Sequence, residues 1–99
     1  MLVVGEFGRS PKINAMAGRD HWEHCYSALV AGGGVRGGRV VGGSDVRGEH
    51  PSDRPVTPAD LAWVLFHKLG IDPETTRLPA PDGRPVRLVD GANPPRELM

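Results

Sequence analysis

The clearest hydrophobic pattern along the chain predicts one amphipathic helix. Its apolar positions recur three and four residues apart, at Leu61, Val64, Leu65 and Leu69. Thr57 is a favourable N-cap, Pro58 suits the first helical position, and Asp60 stands where a capping-box acid accepts a backbone hydrogen bond. Gly70 provides the stop. The sequence therefore predicts a helix from about Pro58 to Leu69 whose apolar face is buried.

Short apolar runs bounded by glycine and proline predict strands elsewhere. The predicted strands are Met1–Val4, Tyr26–Ala31, Arg39–Val41 and Val86–Val89. The first is expected to be buried, and the glycines between the second and third suggest a hairpin turn. Two polar stretches, Glu6–His24 and Ser44–Pro55, are expected to be loops. The fold class is therefore predicted to be α/β, with a few strands and one main helix.

The composition indicates a loop-rich part of a larger fold. The 99 residues include 14 glycines and 10 prolines, and only 38% are hydrophobic. Twelve basic residues balance twelve acidic ones, so no basic surface for nucleic acid is expected. No apolar run is long enough to span a membrane. The single Cys25 cannot form an internal disulfide, and Met1–Val4 lacks the basic start and long apolar region of a signal peptide.

Candidate chemistry first appears directly after the first predicted strand. Glu6 follows that strand, and ligand-binding carboxylates are common at the carboxyl ends of parallel strands. Arg9 could bind an anion such as phosphate or sulfate through its forked guanidinium. Alternatively, Glu6 and Arg9 pair with each other and only organise the turn. Both interpretations follow from the spacing.

A second candidate is the adjacent pair Asp20 and His21, which offers an oxygen and a nitrogen to zinc or a similar divalent ion. The structural alternative is that Asp20 bonds the neighbouring backbone while His21 is solvated. His24 is expected to be exposed. A third cluster, Glu49–His50 with Asp53, fits either a ligand set or a charged surface loop.

Four ordered motifs carry a family resemblance. They are GEFGRSPKIN (5–14), GRDHW (18–22), AGGGVRGGRVVGGSD (31–45) and RPVTPADLAWVLFHKLGIDPE (54–74). Together they resemble the C-terminal part of the family called domain of unknown function 1501, which more often has Thr at the position of Ser10. The match covers roughly Leu2 to Leu98.

At one further remove the motif order resembles the end of sulfatases and related metallohydrolases of the alkaline phosphatase superfamily. The resemblance implies that residues 1–99 are a partial C-terminal segment of one sulfatase-like domain, a three-layer α/β sandwich whose N-terminal part is the expected partner. The nucleophile and first metal-binding Asp of that superfamily lie in the N-terminal part. The complete protein would resemble an exported bacterial hydrolase of phosphate or sulfate esters that uses a divalent metal ion.

Between its alternative alignments the resemblance implies Glu6, Asp20 and His21 as metal ligands, and Arg9, chosen from its place after the strand, is the expected substrate-binding residue. One alignment places Glu6 on the superfamily's metal-binding Asp and Phe7 on its second ligand, which Phe7 cannot replace. A different alignment places Asp20–His21 on the Asp–His pair. Both alignments implicate His21. A non-catalytic binding or scaffold protein on the same fold is the alternative function.

Overall fold

The computed structural model describes residues 1–99, which form two compact units. The first unit comprises Met1–Gly32 and Val40–Pro55, and the second comprises Gly33–Arg39 and Val56–Met99. Small sheets, short strands and one main helix confirm the predicted α/β class. No helix combines the length and the apolar character that a membrane crossing requires.

The first unit is built from three antiparallel ladders of two strands each. Its strands are β1 (Leu2–Val4), β2 (Gly8–Arg9), β3 (His21–Trp22), β4 (Ala28–Val30), β5 (Gly43–Ser44) and β6 (Pro51–Asp53). β1 pairs with β4, β2 with β3, and β5 with β6. The amino group of Met1 extends the first ladder by donating to the carbonyl of Ala31 at 2.8 Å. The two stretches expected to be plain loops therefore each contain a short ladder.

Two expectations about the first strand are wrong. β1 was expected to be buried, yet Val3 is 57% exposed and Val4 is 46% exposed. The reason is that a ribbon of two strands has no second layer of this unit against its faces. β1 also pairs antiparallel, so Glu6 does not follow a parallel strand. Within the first unit, Ser10 is the buried residue and no apolar side chain is buried.

The predicted strand at Arg39–Val41 does not form, and Val40 is 96% exposed. Its expected partner, β4, pairs with β1 instead. The chain leaves β4 through Gly32, Gly33 and Gly34, whose φ angles are 78°, 60° and 79°. Three successive left-handed residues do not produce the two-residue hairpin turn that would return the chain along β4.

The second unit is organised by the predicted helix, α1 (Pro58–Lys68). The hydroxyl of Thr57 accepts a hydrogen bond from the backbone N–H of Asp60, and the Asp60 carboxylate accepts one from the Thr57 N–H at 2.7 Å. Gly70, with φ 81°, follows the helix as predicted. Val64 is 1% exposed, but Leu69 is 74% exposed because it is the C-cap and lies beyond the last helical turn.

A hairpin and a short 3-10 helix complete the second unit. β7 (Arg77–Pro79) pairs antiparallel with β8 (Pro85–Arg87), and the 3-10 helix spans Arg96–Leu98. The strand predicted at Val86–Val89 therefore exists but lies slightly earlier in the chain. Gly83, with φ 83°, lies in the connecting turn, as the sequence Pro81-Asp82-Gly83 suggested.

Candidate functional site

The β2–β3 hairpin has a rigid base formed around Ser10, which is 5% exposed. The Ser10 N–H donates to the carbonyl of Asp20 at 2.9 Å, and its hydroxyl accepts from the Asp20 N–H at 3.0 Å. The same hydroxyl donates to the carbonyl of Lys12 at 2.9 Å. A hydroxyl that both donates and accepts locks the two ends of the connecting loop together. Ser10 thus has a structural role in this hairpin.

Asn14 and Arg19 hold the loop between the two strands. The Asn14 side-chain oxygen accepts from the N–H groups of Met16 and Gly18, each at 3.0 Å. The Arg19 guanidinium donates to the carbonyls of Ser10 and Pro11 at 2.8 and 2.7 Å. Charge-assisted bonds of this length are among the strong ones. The loop that carries the Asp–His pair therefore has a well-defined shape.

Arg9 and His21 lie directly opposite each other across the ladder. The ring of Phe7 stacks on the imidazole of His21, with centroids 4.0 Å apart and planes inclined by 26°. The guanidinium carbon of Arg9 lies 5.6 Å from the centre of the Phe7 ring, within the range of a cation–π contact. One hairpin face therefore presents a guanidinium, an aromatic ring and an imidazole together.

The alternative ion pair between Glu6 and Arg9 is not formed. Glu6 is exposed, and Arg9 makes one long hydrogen bond, from Nη1 to the carbonyl of Arg19 at 3.4 Å. Arg9 therefore keeps most of its donors available on an exposed surface. An exposed guanidinium of this kind can donate hydrogen bonds to the oxygens of an anion.

The three residues proposed as metal ligands do not converge in this structure. Asp20 uses one carboxylate oxygen to accept from the side-chain amide of Asn14 at 3.0 Å, rather than from the backbone. His21 is exposed and stacked on Phe7, and Glu6 stands apart from both in an exposed turn. The set of ligating side chains that does come together lies elsewhere. The assignment of Glu6, Asp20 and His21 to one metal site stays a prediction.

The convergent set consists of Asp45, Glu49 and His50, whose ligating atoms all lie within 4.8 Å of one another. The sequence places Glu49 and His50 near Asp53, whereas in the structure Asp45 is the residue that joins them. The available signal was the position of Asp45 before a turn: its carboxylate accepts from the N–H groups of Glu49, at 2.9 Å, and His50, at 3.2 Å. Side chains of Asp commonly bond the backbone of the turn that they begin.

These contacts set the charge of the Asp45 carboxylate. The N–H of Glu49 is the main cause that lowers the pKa of Asp45 from its usual value, and the N–H groups of His50 and Arg47 add to it. Donors directed at a carboxylate favour its ionised form. The Trp22 ring N–H donates to the carbonyl of Glu49 at 2.7 Å and so fixes the other end of the turn.

The sequence motifs around the β2–β3 hairpin and around the turn that begins at Asp45 are those of a protein family. The family model described as Protein of unknown function (DUF1501) matches residues 1–99. The chain belongs to the DUF1501 family. Comparisons with curated proteins and with solved structures give no match. Membership confirms the family resemblance that the four motifs carry, and the geometry of the β2–β3 hairpin now shows how two DUF1501 motifs, GEFGRSPKIN and GRDHW, lie against each other.

Proposed function

We propose that this DUF1501 chain provides the anion-binding wall of a phosphate or sulfate ester hydrolase. The observation that supports the proposal is the pairing of Arg9 with His21 across the β2–β3 ladder, with Phe7 stacked on the imidazole at 4.0 Å. Arg9 is the substrate-binding residue in this proposal, because its guanidinium matches the oxygens of a phosphoryl or sulfuryl group.

A comparison of the two arginines of the hairpin supports the choice of Arg9. Arg19 directs its guanidinium at the backbone carbonyls of Ser10 and Pro11, at 2.8 and 2.7 Å. Arg9 has only the bond of 3.4 Å to the carbonyl of Arg19. Arg19 is therefore a structural residue, whereas Arg9 would lose only its one long hydrogen bond on binding an anion.

The divalent ion implied by the resemblance does not fit Glu6, Asp20 and His21 as they are arranged here. Their ligating atoms do not come together. We therefore derive no step through a metal ion from these residues. Stacking on Phe7 occupies a face of the His21 ring, while imidazole nitrogens bind in the ring plane, so His21 can still contact substrate.

Catalysis on this proposal requires groups beyond these residues. Arg9 and His21 can bind and orient an ester, but the neighbouring Ser10 hydroxyl is 5% exposed and already bonded to Asp20 and Lys12, so it is not available as a nucleophile. The nucleophile would come from the N-terminal part that the sulfatase resemblance implies. The role of residues 1–99 is then to position the anion.

A non-catalytic binding or scaffold function is the second candidate. The specific observation in its favour is that the three expected metal ligands do not form a convergent set. In addition, one of the two alignments that the resemblance implies places Phe7, which cannot ligate a metal, on the superfamily's second ligand. On that alternative, the hairpin binds an anionic partner without turning it over.

The test is a titration of the isotope-labelled chain with sulfate and with phosphate, followed by NMR. We expect saturable shifts at the backbone amides of Arg9 and His21 and at the side-chain N–H of Arg9. The Arg9→Gln variant should weaken binding at least about tenfold, because a charge-assisted contact is lost. Arg39→Gln is the matched control, since Arg39 is an exposed arginine of the second unit.

Equal weakening by Arg9→Gln and Arg39→Gln would contradict a specific site and reject the proposal. Hydrolysis is then tested in a longer DUF1501 protein with the same EFGR and RDHW motifs, using p-nitrophenyl phosphate and p-nitrophenyl sulfate. A lower turnover when the arginine equivalent to Arg9 is replaced by Gln in that protein supports the hydrolase function. Anion binding without turnover of either ester would favour the binding function.

A further inference from the structure

Loop 45–50 of the first unit brings together a mixed set of metal-ligating side chains. The carboxylates of Asp45 and Glu49 and the imidazole of His50 place one ligating atom each within 4.8 Å of one another. Asp45 and Glu49 are half-buried and His50 is exposed. Two carboxylate oxygens and one imidazole nitrogen are donors that Zn²⁺ and similar divalent ions bind in proteins.

A second imidazole, from a distant part of the sequence, lies beside His50. The ring centroid of His24, which follows β3, lies 5.3 Å from that of His50, with the planes inclined by 38°. The His24 ring also packs against the Trp22 ring in a T-shaped arrangement, with centroids 4.8 Å apart. His24 is therefore a direct neighbour of His50 at the edge of the three-residue set, and this second imidazole distinguishes the place from a chance cluster of acidic residues.

The backbone of the loop is already held in position. The Asp45 carboxylate accepts from the N–H groups of Glu49 and His50, and the Trp22 ring N–H donates to the Glu49 carbonyl at 2.7 Å. The nearest imidazole nitrogen of His50 lies 3.8 Å from the Asp45 carboxylate. Binding would therefore require side-chain rotation but little ordering of the main chain, and preorganisation of this kind favours affinity.

We propose that Asp45, Glu49, His50 and His24 form a binding site for one divalent transition-metal ion of the Zn²⁺ class. Metal–ligand bonds of about 2.0–2.2 Å would draw the ligating atoms closer together, and the exposed rings of His24 and His50 can turn to allow it. The ion would link residue 24 to loop 45–50. The site is independent of the ester hydrolase proposal, since it shares neither Arg9 nor His21.

The experiment is a titration of the full chain with Zn²⁺ by isothermal calorimetry, with NMR to locate the bound ion. We expect one ion per chain and shifts confined to loop 45–50 and His24. His50→Ala and His24→Ala should each weaken Zn²⁺ binding at least about tenfold, because loss of even an outer-shell partner of a metal ligand has that effect. His67→Ala, an exposed histidine of α1, is the matched control.

Retention of the amide signals of Asp45 and Glu49 in the variants shows that the loop is still folded, so that lost binding reports on the ligands. His50→Gln provides a second variant that keeps a polar side chain of comparable size. Unchanged affinity in His50→Ala, or equal weakening in His67→Ala, would overturn the site. Loss of Zn²⁺ binding in His21→Ala but not in His50→Ala would also overturn it and would place the ion at the β2–β3 hairpin.

Discussion

Helix α1 and the β2–β3 hairpin each contain an aspartate that the sequence singles out, but the two carboxylates have opposite environments. Asp60 in the second unit is 3% exposed, and its two oxygens accept from the N–H groups of Thr57 and Asn93 at 2.7 and 2.6 Å. Asp20 in the first unit is exposed and accepts one side-chain bond, from Asn14 at 3.0 Å.

The comparison separates acidic residues that maintain the fold from those that are available to a ligand. A buried carboxylate whose hydrogen-bond partners all belong to the chain serves the fold and not a ligand. Removing any partner would leave a buried polar group unsatisfied. An exposed carboxylate or guanidinium on a rigid hairpin can exchange water for a ligand at little cost to the fold. Arg9, His21 and Asp20 are exposed groups that are available to a ligand, whereas Asp60 is a buried group that maintains the fold.

The largest effect is expected from removing the carboxylate of Asp60. Asp60→Ala removes a carboxylate that is 3% exposed and that accepts from two backbone N–H groups, those of Thr57 and Asn93. We expect the local stability of α1 to fall by about 3 kcal/mol, since a hydrogen bond to a charged group contributes about 1.5–3 kcal/mol. Amide hydrogen exchange along α1 measures this change.

Asp20→Ala is the control for that measurement, because it removes an exposed carboxylate with a single side-chain partner. It should change amide exchange in the hairpin by much less. If the two substitutions had equal effects on their own units, the distinction between structural and available carboxylates would fail.

A smaller effect is expected from Gly8→Ala, which tests whether the hairpin is as rigid as its hydrogen bonds indicate. A Cβ atom at Gly8 would collide with the backbone carbonyl oxygen of Cys25, and it would lie 2.9 Å from Cβ of Tyr26. The Cys25 carbonyl cannot rotate away as a side chain could, so β2 and the Cys25–Tyr26 segment must move apart. We expect the free energy of unfolding of the hairpin to fall by about 2 kcal/mol, which is within the range for overpacking.

Slower exchange at the amides of β2 and β3 in wild type than in Gly8→Ala would confirm this expectation. Gly37→Ala is the control, because a Cβ there meets no atom within 4 Å and its φ lies outside the left-handed region. A tolerated Gly8→Ala with unchanged exchange would show that the hairpin adjusts easily, and it would weaken the case for a preorganised Arg9–His21 face.

The sequence predicted features that depend on near neighbours. The capping box at Thr57 and Asp60 and the stop at Gly70 are contacts over three residues or fewer, and all were correct. The strand at Arg39–Val41 was wrong because a strand needs a partner, and the left-handed residues Gly32–Gly34 do not return the chain along β4. The local pattern of residues does not reveal which runs will pair with each other.

In the candidate sites, too, contacts between near neighbours could be predicted from the sequence, whereas contacts between distant residues could not. Arg9 and His21 were chosen separately, from strand ends and ligand types, and only the register of β2 with β3 shows that they face each other. The contact of His24 with His50 joins residues 26 positions apart, and no spacing rule would have found it. Conversely, the burial of Asp60 could be anticipated in part, because a capping-box acid has a defined backbone partner.

The smallest effect is expected at Asp72, an exposed carboxylate that nevertheless organises a turn in the second unit. It accepts from the N–H of Glu74 and from the hydroxyl of Thr75, each at 2.9 Å. The Glu74 N–H is the main cause that lowers the pKa of Asp72 from its usual 3.8, followed by the Thr75 hydroxyl, while nearby His67 adds a minor favourable charge.

A lowered pKa in the folded chain fixes the sign of the pH dependence. The contribution of Asp72 to stability is present above pH 3.8 and is lost as the pH falls through the lower pKa of the folded state. NMR titration of the Asp72 carboxyl carbon should therefore give a midpoint below 3.8. At pH values above 3.8, Asp72→Asn should cause a small increase in the rate of amide exchange at Glu74 and Thr75. Well below that pH it should make no difference. A midpoint at or above the usual value would place Asp72 with the available carboxylates, such as Asp20, and not with those that shape the fold.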